Sequence, residues 1–399
     1  MTMMKFTASV AGIGLLLASG AALAETKVGA DVSVNAGYAT NPYGATGRGD
    51  TGSGTLSGSF MPSVVMTSPT GSTTLSGEVT HTEYTNRYSA TTDFGVAGST
   101  SQQLSSLTAL TASAGFRSFM HNSLYPIYDP IVGVPTDPGA PIIVDPSGAT
   151  SFAQRTETLY GSLGLSTSLS SRDSVSATGR ISDVRYPNGA LASNRAYTSY
   201  GGGLSYQRLV GRDTSLGLGV DVGRVNYRGG RLGDSTQISP SILYSTKLAP
   251  RITLNLSGGV TFNESKVVGG SINNTLFAGS ASLCNQGDRS NLCARLSRSV
   301  SPTSFSGTSK VTAFGLTHSY KIDPRSRINT NISYSRANSI GNLGRTTDYG
   351  TAGIGYSRDV GPRLSATLRA SYSDTFSSSY SRGSNFYGAV GLTYRMGNR

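Results

Sequence analysis

Residues 251–262 read Arg-Ile-Thr-Leu-Asn-Leu-Ser-Gly-Gly-Val-Thr-Phe. Every even position from Ile252 to Phe262 is apolar or glycine, and every odd position from Thr253 to Thr261 is small or polar. A period of two sustained this long exceeds the usual half-buried strand of a soluble domain. Such runs are joined by a short turn that keeps returning: Ser171-Arg172-Asp173, Gly211-Arg212-Asp213, Ala249-Pro250-Arg251, Asp323-Pro324-Arg325 and Gly361-Pro362-Arg363. Tight turns between long two-faced strands specify antiparallel hairpins, repeated down the chain.

Composition decides what the hairpins build. Only 14% of the 399 residues are charged and 37% hydrophobic, with 51 glycines, 21 tyrosines and no tryptophan. Two ordinary soluble cores would need more apolar residues than this. A barrel with a polar lumen and a single outer layer of apolar side chains needs fewer, and small inward residues relieve crowding where strands curve. The fold class expected is all-β, a closed antiparallel transmembrane β-barrel.

The amino end carries a secretory signal. Lys5 is its basic region, Ala11 to Leu17 its apolar core, and Ala22-Leu23-Ala24 a small-residue cleavage site, so residues 1–24 are removed and 25–399 form the barrel. Loss of Lys5 lowers the formal charge of +12 by one. For an exported chain this basic balance points away from nucleic acid and toward anionic solutes, polymers or lipopolysaccharide phosphates.

Along the chain, Lys27 to Tyr38 is the first strand, and Asn41 to Ser53 a loop. In the returning strand Pro62 cannot donate to the ladder, which predicts a bulge. Residues 73–117 divide less clearly, with a turn placed near Ser99 to Gln103 and a strand from Leu104 to Phe116. Two long outer loops are expected near 118–152, which holds six prolines, and near 267–307. Turns near 70, 101, 171, 211, 249, 324 and 361 give seven inner turns and, with both termini inside, about sixteen strands. Fourteen or eighteen fit the same pattern if 73–117 is divided differently.

Aromatic residues set the strands in a membrane. Tyr206, Tyr244, Tyr320 and Tyr356 fall four to six residues before turns, and Phe262, Tyr334 and Tyr372 nine to eleven after them. Two fixed levels about one hydrocarbon thickness apart are the girdles of a membrane barrel. The last strand, Phe386 to Met396, is similar to the terminal signal read by the outer-membrane insertion machinery, though it lacks a final aromatic.

No catalytic or metal constellation is legible, so neither an enzyme nor a cofactor is expected. His81, His121 and His318 are scattered without metal-ligand spacing. His318 shares a face with Phe314, Leu316 and Tyr320, facing lipid or a neighbouring subunit. Gly201-Gly202-Gly203 lies inside a strand and is not a phosphate loop. Cys284 and Cys293, the only cysteines, share one polar segment and should pair in an oxidising envelope, in an outer loop. By alternation Arg180, Lys247, Lys321, Arg369 and Arg395 face the lumen, with Asp31 and Asp221. The positive excess on that face suits anions.

The signal segment, the absence of a plug or passenger domain, and Arg298 to Ser304 (Arg-Ser-Val-Ser-Pro-Thr-Ser) resemble outer-membrane β-barrel porin-like proteins associated with bacterial exopolysaccharide secretion. That resemblance implies a bacterial outer-membrane channel assisting export or assembly of an acidic exopolysaccharide. The alternative is a general diffusion porin with anion preference. Expected partners are outer-membrane lipid and lipopolysaccharide, the insertion machinery, and polysaccharide or small anions.

Overall fold

The computed structural model describes residues 25–45, 51–120, 154–187, 196–228, 233–267, 270–303, 307–340, 346–376 and 383–397. These form eighteen strands and no helix among the described residues. In order they are β1 (Glu25–Ala39), β2 (Ser53–Ser68), β3 (Gly71–Tyr84), β4 (Thr91–Gln103), β5 (Thr108–Met120) and β6 (Arg155–Ser168). Next come β7 (Asp173–Arg185), β8 (Tyr197–Leu209), β9 (Thr214–Tyr227), β10 (Ser235–Ala249), β11 (Ile252–Val267) and β12 (Gly270–Gln286). The chain ends with β13 (Ser290–Thr303), β14 (Gly307–Asp323), β15 (Ser326–Ser339), β16 (Thr346–Asp359), β17 (Leu364–Thr375) and β18 (Asn385–Gly397).

Each strand pairs antiparallel with its sequence neighbours, and β18 pairs with β1 from Gly29–Gly397 to Ala39–Tyr387, so the sheet is closed. Closure removes the free edges that would leave backbone groups unpaired in lipid. Alternation sorts the side chains as the sequence requires. Val28, Leu56, Phe94, Leu163, Leu218, Ile242, Phe277 and Val390 are exposed on the outer surface. Apolar groups turned outward in such numbers need lipid around them. Both aromatic levels lie on this face: Tyr206, Tyr320, Phe262, Tyr334 and Tyr372 are all exposed there.

Three expectations are corrected. Residues 270–303, expected to lie in an outer loop at 267–307, are instead the β12–β13 hairpin, closed by a tight turn at 287–289. That eighth turn raises the strand count from sixteen to eighteen. The turn at 104–107, rather than near 101, starts β5 later and carries it through Met120, so Ser118 to Met120 belong to the wall. Pro62 makes no bulge: Phe60 faces Val79 and Ser63 faces Ser76 in one unbroken register, and pairing lapses only between them. The glycine opposite explains why, since a Cβ on Gly77 would lie 3.2 Å from Pro62 Cγ. Residues 1–24, expected to be a signal segment, and the proline-rich stretch 121–153 lie outside the described residues.

Candidate functional site in the lumen

The inward face is built mostly of small hydroxyl residues that bond to one another across the ladder. Ser33–Ser59 (2.5 Å), Ser113–Ser162 (2.7 Å), Ser176–Ser205 (2.7 Å), Ser239–Thr261 (2.8 Å), Ser257–Ser280 (2.8 Å) and Ser333–Thr351 (2.7 Å) are such Oγ–Oγ pairs. Lateral bonding satisfies these groups within a thin wall. An eighteen-strand barrel with a thin lining is wide enough to hold water.

Onto this lining the register projects charge. Lys247, Arg295, Lys321, Arg327, Arg369 and Arg395 all stand inward on β10 to β18. Lys321 and Arg327 are direct cross-strand partners, an arrangement that repulsion makes unfavourable unless water or an anion screens it. On the opposite wall, Asp31, Glu78, Arg117 and Tyr160 border one recess with Met61, Ser63, Gly95 and Ala97. Tyr160 lies across Gly115, where a Cβ would come within 2.5 Å of its hydroxyl.

The five predicted basic residues therefore share the inward face, but they are not equivalent. Arg180 Nη1 donates to Asp221 Oδ1 at 3.2 Å, reaching across β8. The glycine run makes that possible: a Cβ on Gly201 would sit 3.4 Å from Arg180 Nε, and one on Gly203 2.9 Å from Asp221 Oδ1. Arg395 pairs with Asp359 at 3.5 Å and lies opposite Asp31. Lys247, Lys321 and Arg369 have no carboxylate partner among the described residues, and neither does Arg327.

Arg327 was legible from its own alternation, Arg327-Ile328-Asn329-Thr330-Asn331-Ile332, in which odd positions are polar. Arg295 is hidden because the polar residues around Cys284 and Cys293 read as a loop. Arg117 and Glu78 were hidden by the unclear 73–117 region.

The lumen divides along its axis. Toward the loop end, inward Ser309, Ser335 and Thr347 are 0% exposed, Tyr349 is 2% and Tyr387 3%. Toward the tight-turn end, inward Lys247, Lys321, Arg327, Arg369 and Arg395 are exposed. At the loop end a tyrosine cluster closes part of the rim. Tyr43 Oη donates to Tyr84 Oη at 3.1 Å, and both rings pack against Tyr88. Burial pushes the Tyr43 phenol above its ordinary value, opposed in part by the Tyr84 bond.

Cys284 and Cys293 face one another across β12–β13 and are joined as a disulfide. They lie beside the 287–289 turn, at the tight-turn end, and alternation turns both inward. The outer-loop placement is thus corrected: the hairpin reverses direction between them.

His81 bonds Thr92 and Glu83 near the loop end, at 2.8 and 3.0 Å. His318 Nε2 meets Ser290 Oγ at 3.0 Å on the lipid-facing surface. Leu292 and Thr330 flank that histidine in the ladder, and a hydroxyl–imidazole bond is also how a histidine is satisfied on such a face. No cluster of three or more metal-ligating side chains exists among the described residues.

No family model matches this chain, and no curated protein does. Among solved structures it is similar to Pseudomonas aeruginosa OccK2 (OpdF), at 13% identity and a TM-score of 0.46, covering 94% of this chain and 98% of that one. It is also similar to a BenF-like porin from Pseudomonas fluorescens Pf-5, at 11% identity and 0.47, covering 94% and 99%. For Pseudomonas aeruginosa OccK9 (OpdG) the values are 11% and 0.48, with 94% and 99% covered. Likeness at this level says nothing about what this chain carries.

Proposed function

We propose that this chain is a bacterial outer-membrane channel through which small anions diffuse. The observation that carries the reading is the group of exposed basic side chains on the inward face with no carboxylate partner among the described residues, Lys247, Lys321, Arg327 and Arg369. Fixed cations around a water-filled path raise the local concentration of anions and disfavour cations. The outer-membrane setting is supported by the closed barrel and its apolar exterior.

Export of an acidic exopolysaccharide is the second reading, and the same charges would favour it. It fits less well because a long polymer needs accessible contacts along the whole path, and inward side chains of the loop-end half are buried. The two separate in a planar bilayer. Small-anion conduction predicts steady chloride and acetate currents that an acidic oligosaccharide added from either side barely blocks. Deep, concentration-dependent block with a weak small-ion current would favour the polymer instead. Absence of any current from inserted protein would refute both.

A further inference from the structure

Among the described residues the barrel wall opens along the β12–β13 seam. β12 and β13 pair only between Gly279–Arg298 and Gln286–Asn291. Beyond Gly279, β12 continues to Gly270 paired with β11 alone, and β13 continues to Thr303 paired with β14 alone. Continued register would set 274–278 against 299–303, and those edges have no ladder partner across the seam. It is the shortest ladder in the barrel, at eight residue pairs against ten or more for each of the others.

The seam opens at the boundary between lipid and water. Leu296, two residues inward of Arg298, lies in one row with Phe314 and Tyr334, and Tyr334 belongs to the outer aromatic level. Arg298 is in the next row out, on the lipid-facing side. Its Nε is buried and has no hydrogen-bond partner. Lys310 is its diagonal neighbour on the same face of β13–β14, close enough for both cations to share one ligand.

These two cations, with Lys266 on β11, differ from the other outward ones near this end. Arg155 has Asp93, Arg185 and Arg228 share Asp183, Arg224 has Asp234, and Arg336 has Asp348. Arg298 and Lys310 have no carboxylate among the described residues. Unpaired charge beside lipid is costly, so its retention asks for an anion from outside the chain. Phe277, 61% exposed on β12, and Leu296, 51% exposed on β13, border the seam on the lipid side. Cations above an apolar surface fit an amphiphile better than a free ion.

We propose that the β12–β13 seam is a docking site for a phosphorylated glycolipid of the outer leaflet. Its phosphate would lie between Arg298 and Lys310, its sugar hydroxyls would bond the open strand edges, and an acyl chain would run over Phe277 and Leu296. Arginine and lysine together suit phosphate, one as a fork and one as a point charge. The proposal rests on the barrel standing in an outer membrane, which insertion into vesicles tests by itself.

The test uses the full chain refolded into phospholipid vesicles, with insertion verified first by protection from protease. Binding is then read by native mass spectrometry with a bis-phosphorylated glucosamine lipid, its dephosphorylated form, and inorganic phosphate. The expected result is retention of the phosphorylated lipid and at least tenfold weaker retention by Arg298→Gln/Lys310→Gln. Arg185→Gln, whose native residue already has a carboxylate, should bind as the unaltered chain does. Arg298→Lys keeps the charge without the fork and should fall between, which separates a lost contact from a folding defect. Equal retention by the double variant, or of the dephosphorylated lipid, would overturn the site. Displacement by millimolar inorganic phosphate would make it a free-anion site and overturn the lipid assignment. Failure to insert would instead refute the outer-membrane reading on which the site depends.

Discussion

The two halves of the lumen obey the same alternation and do different work. At the loop end, inward residues are hydroxyls and tyrosines packed out of water: Ser309, Ser335, Thr347, Tyr349 and Tyr387. At the tight-turn end they are long cations reaching into open space, Lys247, Lys321, Arg327 and Arg369 among them. Inward-facing is therefore a statement about backbone geometry alone. Whether an inward residue packs or acts electrostatically depends on what shares the cross-section with it. The lesson also separates residues at similar depth: Arg180 is neutralised by Asp221, and Arg369 has no such neighbour among the described residues.

That difference makes the sharpest prediction. Arg369→Glu should shift the anion-to-cation permeability ratio toward cations by roughly a few-fold at 0.1 M salt. A unit charge about one pore radius away in water interacts near thermal energy, and screening over roughly 10 Å halves the effect. Arg180→Gln/Asp221→Asn should shift it less, because the ion pair it removes carries no net charge. Reversal potentials of the two variants decide this, and equal shifts would break the distinction between paired and unpaired charge.

A smaller effect is expected at the tight-turn rim. Removing the disulfide with Cys284→Ser/Cys293→Ser should lower stability by about 2–3 kcal/mol by the loop-closure argument, seen as an earlier midpoint in urea. Because the pair lies at the tight-turn end, a bulky maleimide should fail to label reduced cysteines on intact cells and should label them in opened membranes. Labelling on intact cells would put the pair on the other side.

The smallest effect belongs to the loop-end tyrosines. The Tyr43 phenol is raised by burial, so the folded cluster favours the protonated form. The sign follows: its contribution is fully present below the ordinary phenol value of about 10 and is lost as pH rises through the folded value. Ultraviolet titration should show a tyrosine ionising late, and Tyr84→Phe should alter that step. Titration of every tyrosine at the ordinary value would contradict a packed rim.

Most of the fold was legible because period two is read directly from residues, as in Ile252 to Phe262. The β12–β13 hairpin was missed although Gly287-Asp288-Arg289 carries the same glycine, acid and arginine as Gly211-Arg212-Asp213. Polar residues around it, Asn285 to Asn291, masked the turn as part of a loop. Among site residues, the inward direction of Arg180, Lys247, Lys321, Arg369 and Arg395 followed from alternation. Their pairing did not, because Asp221 meets Arg180 across an intervening strand and alternation carries no cross-strand register. The broken β12–β13 ladder was likewise invisible: Leu276 and Ser301 alternate as regularly as residues that do pair.

The central claim is that unpaired cations in the tight-turn half make the path anion-preferring. Its direct test is the reversal potential of the unaltered protein in a planar bilayer under a tenfold potassium chloride gradient. The account predicts a potential on the chloride side of zero that shrinks as total salt rises, because the charges become screened. A potential on the potassium side, or one at zero at every salt concentration, would contradict it.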